Sequence, residues 1–413
     1  MDITSLSNHK LPKISSYYNV KLTLLVNKYF GYWPSLNVNQ RFYAIYTFFS
    51  FSLTIGAILL AELVYVIVYI RDFNKLTSIS LLLFTNVVHV SKIQNLIRKR
   101  KQIRHLLEYV ETGQFSNETD KYERIVTYFS WFGLFHYAIN VLFGMGAITG
   151  WSIISLFSVD NDKIDRRLPS DGWFPYDPLK SPAFELTCVY EIIILHVCAF
   201  HNLALDHLTV GFMSVVCCQF VILNCNLQSI GDDVLNAENI KNDLSNSLKN
   251  KENDDLIYKR LVKCVEDHMT IIQFAKDVEN IFNLPVFLQF LESCLVICVT
   301  AYQISQDSNK GTSEILGNFS YLMCMVYQLF VYCWYGNSIL LLSESVVQAA
   351  FSGNWWKSSE RYKRALRLMM VRAGRPLTIT TGNLLTLSLS TFMGILKASY
   401  SFFTVLQSTN KKI

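Results

Sequence analysis

The sequence predicts an all-α membrane protein with seven transmembrane helices, its N-terminus cytoplasmic and its C-terminus extracellular. Three observations carry that expectation. Only 17% of the 413 residues are charged and 51% are hydrophobic, against about 25% charged in a soluble domain; mean hydropathy is +0.25. Apolar runs of the ~20 residues needed to cross a bilayer recur along the chain. Lys and Arg gather in alternate connections, the asymmetry that sets orientation.

The elements follow in order. Residues 1–41 are mixed and polar, with no apolar stretch after the first charges, so the first span is expected to act as its own insertion signal. Phe42–Ile70 is interrupted only by Glu62, Leu76–Ile97 contains His89 and Lys92, and Ile125–Val159 has no formal charge at neutral pH. Phe184–Ile230 and Leu256–Ile304 are longer than a bilayer needs, and Thr312–Phe351 also overruns it. Their excess should project into water on one side. Pro376–Ser408 closes the series. The organisation expected is one membrane domain over 1–413: a cytoplasmic segment 1–41, helices one to four over 42–230 with an outer loop at 160–183, helices five and six with anchor extensions over 231–375, and the last helix over 376–408.

Of the 37 Lys and Arg, 26 fall in the N-terminal stretch and the second, fourth and sixth connections, with Lys92 counted in the second. Only 9 fall on the other side, and Lys276 and Lys397 remain within spans. This orientation argues against a G-protein-coupled receptor. Glu123-Arg124-Ile125 begins the third span instead of ending it, so it is no substitute for such a receptor's motif. None of the ten cysteines lies in 160–183, so no disulfide is expected there. The sequon at Asn117 falls in an inner loop, and that at Asn318 near the outer end of span six.

The last span carries the sharpest pattern. Asn383, Thr386, Ser390, Gly394, Lys397, Ser401, Thr404 and Ser408 recur at spacings of three and four, one helical face. In lipid such a stripe is either a close helix–helix seam or the wall of a water-filled path.

Catalytic and metal chemistry finds no footing. His196, His201 and His207 are spaced by five and six, so none forms the i, i+4 pair that chelates; Asp206 is expected to bond a neighbouring helix. Glu62 should be paired or snorkelling. No nucleophile–base set, phosphate loop or internal transporter repeat is present. No enzyme activity, cofactor, metal or nucleic-acid partner is expected.

Several segments together resemble a known family. Arg375-Pro376-Leu377-Thr378, Thr381-Gly382, Leu387 to Phe392 and Lys397 to Thr404 are similar to the C-terminal signature of insect odorant receptors. Tyr335-Gly336-Asn337 with Ser343-Glu344-Ser345, Trp355-Trp356, Met369 to Arg372, and Trp173 to Asp177 agree with it. Cys218 stands where Gly is frequent and Glu191 where Gln is usual. The ending Ser399-Tyr400, six residues, Gln407-Ser408 departs from the sister gustatory receptors, the alternative within this architecture. The short connection Gly231–Asp255 resembles a ligand-tuning subunit and not the shared coreceptor.

The resemblance implies an odorant-receptor channel fold: a ligand-gated, non-selective cation channel formed as a four-subunit assembly (a heterotetramer) with the odorant receptor coreceptor. Its ligand is a small volatile odorant, its setting the lipid bilayer of the plasma membrane of olfactory sensory neurons. It places the odorant among helices two, three, four and six, where the candidates are Leu81, Phe84, Val88, Phe143, Ala147, Trp151, Tyr190, Ile193, Leu195, Tyr321, Met325 and Tyr327. It places the pore along Ser401, Thr404, Val405, Ser408 and Thr409, with the gate at Val405. Lys397 would repel a permeant cation and is expected to turn sideways to a carbonyl or carboxylate.

Overall fold

A computed structural model describes residues 17–34, 39–111, 115, 122–157, 166–241, 247–306, 312–352 and 355–410. It is a bundle of long helices. After the short α1 (Tyr18–Tyr29), the first span is α2 (Gln40–Phe51) and α3 (Ala57–Val68), joined without a break by one π-helical turn at Ser52–Gly56. There follow α4 (Phe73–Arg98), α5 (Arg100–Glu111), α6 (Glu123–Phe157), α7 (Ala183–Lys241), α8 (Ser247–Gln306), α9 (Thr312–Phe351), α10 (Glu360–Ala373) and α11 (Leu389–Asn410). Among the described residues, six helical segments are long and apolar enough to cross a membrane: α2–α3, α4, α6, α7, α8 and α9.

The last expected span is the one that differs. Pro376–Ser408 is not a single helix. Residues 376–388 run extended, and Thr380–Thr381 pairs antiparallel with Leu385–Thr386. The turn is closed by Leu384 N–H donating to Thr381 O at 3.2 Å, with Gly382 at φ 60° and Asn383 at φ 56°. Positive φ at both central residues makes this a type I′ turn, the twist-matched hairpin connection. Asn383 and Thr386 therefore lie on the hairpin, off the helix whose stripe they were expected to extend.

Helix α7 is the axis of the fold. From His201 to Asn224 every side chain is buried, as befits a helix apolar around its whole circumference. It packs against α1, α6, α8 and α9. Its 59 residues span about 88 Å, well beyond a bilayer, and α8 has 60 residues. The overrun gathers at one end of the bundle, where α10 lays Tyr362, Leu366, Met369 and Ala373 against α8 and α9. There Arg361 pairs with Asp255 at 3.5 Å and stacks over Tyr258 at 3.9 Å.

Helix α8 contains Pro285. Proline has no N–H and displaces the carbonyl four residues earlier, that of Ile281. Helix α4 supplies the missing donor, Asn95 Nδ2 bonding Ile281 O at 3.1 Å, and just past its end Lys99 Nζ bonds the neighbouring Asn280 O at 2.8 Å. The same turn of α8 receives the hairpin. Thr380 N–H donates to Glu279 Oε1 at 2.8 Å, Thr381 Oγ1 to Asn283 O at 2.9 Å, and Gly382 N–H to Asn283 Oδ1 at 2.6 Å.

Candidate ligand chamber and polar helix face

A chamber of about 1070 Å³ lies between α3, α4, α6, α8, α9 and the loop joining α6 to α7. Helix α3 contributes Tyr65 and Tyr69, α4 Thr77 to Leu82, α6 Trp151, α8 Tyr302 and Gln303, and α9 Asn318. The loop covers it with residues from Arg166 to Leu179. A polar latch holds the wall in place. Trp151 Nε1–H donates to Asn318 Oδ1 at 3.0 Å, and the indole sits 5.3 Å from the Tyr321 ring. Behind it the Tyr321 hydroxyl lies 2.6 Å from Thr85 Oγ1 and donates to Leu81 O at 3.3 Å. Asn318, named above as part of a sequon, is thus a buried wall residue.

The twelve candidate residues do not share one cavity. Leu81 and Trp151 line the chamber. Ala147, Tyr321 and Met325 are packed in the core, as are Val88 and Leu195. Phe143 and Tyr327 are half-buried partners with centroids 6.3 Å apart, and the Tyr327 hydroxyl meets His136 Nδ1 at 2.6 Å. Phe84 and Ile193 are exposed on the bundle's surface, at 37% and 58%. Tyr190 borders a second cavity, of about 360 Å³, between α3, the loop and α7. Sequence reasoning missed the contributions of α3, α8 and the loop. The i, i+4 pair Tyr65 and Tyr69 and the cluster Trp173-Phe174-Pro175 were the available signals.

On α11 the stripe resolves into a face. Ser390, Gly394, Lys397, Ser401, Thr404 and Ser408 are all exposed. The opposite side, with Phe392, Ile395, Leu396, Ser399 and Phe403, is partly or fully buried, and the helix packs on α8 and α9. Ser399 Oγ anchors it by donating to Cys294 O at 3.2 Å. A Cβ added at Gly394 would meet nothing within 4 Å. The polar face is therefore not a seam within this chain. Its hydroxyls bond back to their own helix: Ser401 to Lys397 O at 3.0 Å, Thr404 to Ser401 O at 2.8 Å, Ser408 to Val405 O at 2.8 Å. Val405 is 59% exposed beside them, while the side chain of Thr409 and the sequon at Asn117 lie outside the described residues. Lys397 stays on the exposed face, and no ion pair to it is present among the described residues.

One buried charge pair ties two helices of the bundle together. Lys92 is not a loop residue: it is buried on α4 against Asp206 of α7, with Nζ to Oδ1 at 2.6 Å and both side chains 4% exposed. A cation set within the bilayer's reach needs this partner, so Lys92 leaves the inner-loop count while the bias of that count stands. Lys92 also donates to Asn202 Oδ1 at 2.9 Å, and Asp206 accepts from Tyr332 at 3.0 Å and from Gln328. As expected, Asp206 bonds neighbouring helices. Glu62 accepts from Asn86 Nδ2 at 2.8 Å. His201 lies 2.8 Å from His89 and 3.1 Å from Asn27, His207 stacks on Tyr137, and His196 meets Thr149 at 3.3 Å. Among the described residues no three His, Cys, Asp or Glu side chains gather as a metal site.

This architecture has relatives. Residues 72–400 match the family model described as 7tm Odorant receptor. Odorant receptor Or1 of Anopheles gambiae is 27% identical over 401 residues, 94% of this chain and 94% of that one. Odorant receptor 82a of Drosophila melanogaster is 24% identical over 348 residues, 82% and 85% of the two chains. The solved structure of the insect olfactory receptor OR5 from Machilis hrabei in complex with eugenol shares the fold, with a TM-score of 0.77 at 16% identity over 94% of this chain and 97% of that one. These are receptors and not enzymes. With the family model matched over most of its length, this chain belongs to the insect odorant receptor family.

Proposed function

We propose that the protein is an odorant-tuned subunit of a non-selective cation channel, assembled with odorant receptor coreceptor subunits as a heterotetramer in the plasma membrane of olfactory sensory neurons. In this reading α11 is the seventh membrane span, the N-terminus is cytoplasmic and the C-terminus extracellular. One observation carries it: the packed side of α11 is apolar and its polar side faces away from its own bundle. A polar face left open on a membrane helix belongs against water or another subunit, never lipid. Around a central axis, Ser401, Thr404, Val405, Ser408 and Thr409 would line the path, with Val405 as its constriction.

The chamber is the odorant site of this reading. A volatile ligand offers few polar atoms, so recognition rests on apolar burial at about 25 cal/mol per Å² with a few fixed polar groups, here the bonded Trp151 and Asn318 of the wall. Helix α8 joins the two regions. It borders the chamber through Tyr302 and Gln303 and holds α11 through Cys294. About three to four turns further along it clasps the hairpin that leads into α11 at Glu279 and Asn283. A ligand that shifts α8 at the chamber therefore moves the base of the pore helix.

The test is expression in oocytes with and without the coreceptor, recording current during an odorant panel. Odorant-evoked cation current only with the coreceptor supports the reading. Robust current from this chain alone, or none with any odorant, overturns it. Val405→Lys should change ion selectivity. If selectivity and block are unchanged at normal surface expression, the pore assignment fails.

A further inference from the structure

The second cavity has a chemistry the odorant chamber lacks. Its 360 Å³ lie between α3, the α6–α7 loop and α7, within the range of small-molecule sites. Its walls are mostly apolar or aromatic, with Ile58, Val64, Trp173, Phe174 and Tyr190 among them. Into these walls are set Glu62 and Glu191, which are 1% and 3% exposed, and Asp171. Among the described residues no Lys, Arg or His lines the cavity. Glu191 Oε2 accepts from Ser170 N–H at 3.1 Å, Asp171 accepts from Ser78 Oγ at 2.5 Å, and Glu62 Oε1 accepts from Asn86. Glu62 Oε2 is buried with no hydrogen-bond partner among the described residues.

An acceptor oxygen left bare inside an apolar wall is costly. Neighbouring buried carboxyls must either hold protons or share a cation between them. The aromatic rings add negative π-faces that attract a cation. A hard divalent cation such as calcium or magnesium wants six or more oxygen ligands, and these largely carbon walls do not supply them. A single ammonium with an apolar body satisfies every feature.

We propose that this cavity is a second ligand site that binds a small primary amine, its ammonium held between Glu62 and Glu191 and its apolar body against Trp173 and Tyr190. The loop that closes it is pinned to α3 by Trp173 N–H donating to Ala61 O at 3.1 Å, so the wall is built before the ligand arrives. The site is separate from the odorant chamber, although Asp171 to Phe174 of the loop border both. An amine bound here would stiffen the cover of that chamber.

The test reads binding and needs no channel, so its failure is distinct from failure of the channel reading. The full-length protein in lipid nanodiscs is titrated with 2-phenylethylamine, and with its neutral analogue 2-phenylethanol, while its melting temperature is followed. The amine should raise the melting temperature saturably and the alcohol should not. Glu191→Gln and Glu62→Gln should each weaken the amine at least tenfold, since glutamine keeps the accepting oxygen and removes the charge. Ala57→Trp, at an exposed position on the cavity wall, should abolish the response without changing the melting temperature of the free protein. No saturable response to the amine, equal responses to amine and alcohol, or stabilisation by calcium in place of the amine overturns the proposal. So does an affinity unchanged within threefold in the Gln variants. If a Gln variant does not fold, unchanged affinity in Ala57→Trp overturns it alone.

Discussion

Lys92→Met tests the central polar junction most directly, because it removes one charge from a buried pair while keeping the length of the side chain. Asp206 would lose the contacts at 2.6 and 2.8 Å to Nζ and keep the Tyr332 bond at 3.0 Å and that from Gln328. Stranding one member of a buried pair costs about 3–5 kcal/mol. The two surviving donors, each charge-assisted, place this site at the lower end, about 3 kcal/mol, or about a hundredfold in the folded-to-unfolded ratio. The chain supplies its own reporter: its ten cysteines are all free, and only Cys225 and Cys294 are more than marginally exposed. A thiol-reactive dye in detergent micelles therefore follows unfolding in denaturant or heat. Lys92→Met/Asp206→Leu removes both charges and should recover to within about 1 kcal/mol of wild type, since apolar replacement of a whole pair is near neutral. The cycle should yield a coupling of at least 1.5 kcal/mol, three times the usual additivity error of about 0.5. A single variant within 0.5 kcal/mol of wild type, or strict additivity, would refute the buried pair.

Three further substitutions separate local roles. Gly336→Ala puts a Cβ 2.4 Å from Leu387 O; with backbone on the far side it cannot be relieved by a rotamer, so unfolding should be easier by about 1–3 kcal/mol in the same dye assay. Asn95→Leu leaves Ile281 O, freed by Pro285, without its donor, at a cost of about 1–3 kcal/mol; an unchanged melting curve would show that the kink is satisfied elsewhere. Lys397→Gln should raise single-channel cation conductance with the coreceptor about twofold, because a unit charge ~8 Å from a permeant ion in water costs about 0.5 kcal/mol; a drop or no change would take Lys397 off the conducting path.

Much of the helical layout was legible because hydropathy in lipid is a strong constraint. The first three long helices and α9 begin and end within a few residues of the apolar runs, since every backbone group in a bilayer must be bonded within its own segment, while α7 runs on past Ile230 to Lys241 and α8 starts before Leu256, at Ser247. The ligand chamber was far less legible. Burial along α4 or α6 follows from which neighbour stands opposite, so Phe84 and Val88 on one helix end up exposed and buried. No period in one helix states where a loop will fold over it, and the chamber's cover comes from that loop.

Lys92 and the closing hairpin show two different ways in which a hydropathy count misleads. Lys92 sits near the end of an apolar run, and a cation there is indistinguishable from one that snorkels into a loop; only the pairing with Asp206, 114 positions away, tells them apart. The hairpin had a local signal. Gly382-Asn383 between Thr380-Thr381 and Leu385-Thr386 fits a type I′ turn, but the apolar content of Pro376–Ser408 as a whole masks it. Once the hairpin is removed, what remains of the stripe is a 22-residue helix with an uninterrupted polar face. That shortening strengthens the pore assignment. Asn383 and Thr386 are committed to the contact with α8, where Asn283 Nδ2 donates to Asn383 Oδ1 at 3.2 Å. The stripe residues outside that contact, Ser390, Gly394, Lys397, Ser401, Thr404 and Ser408, are on the side of α11 that no described part of the bundle covers.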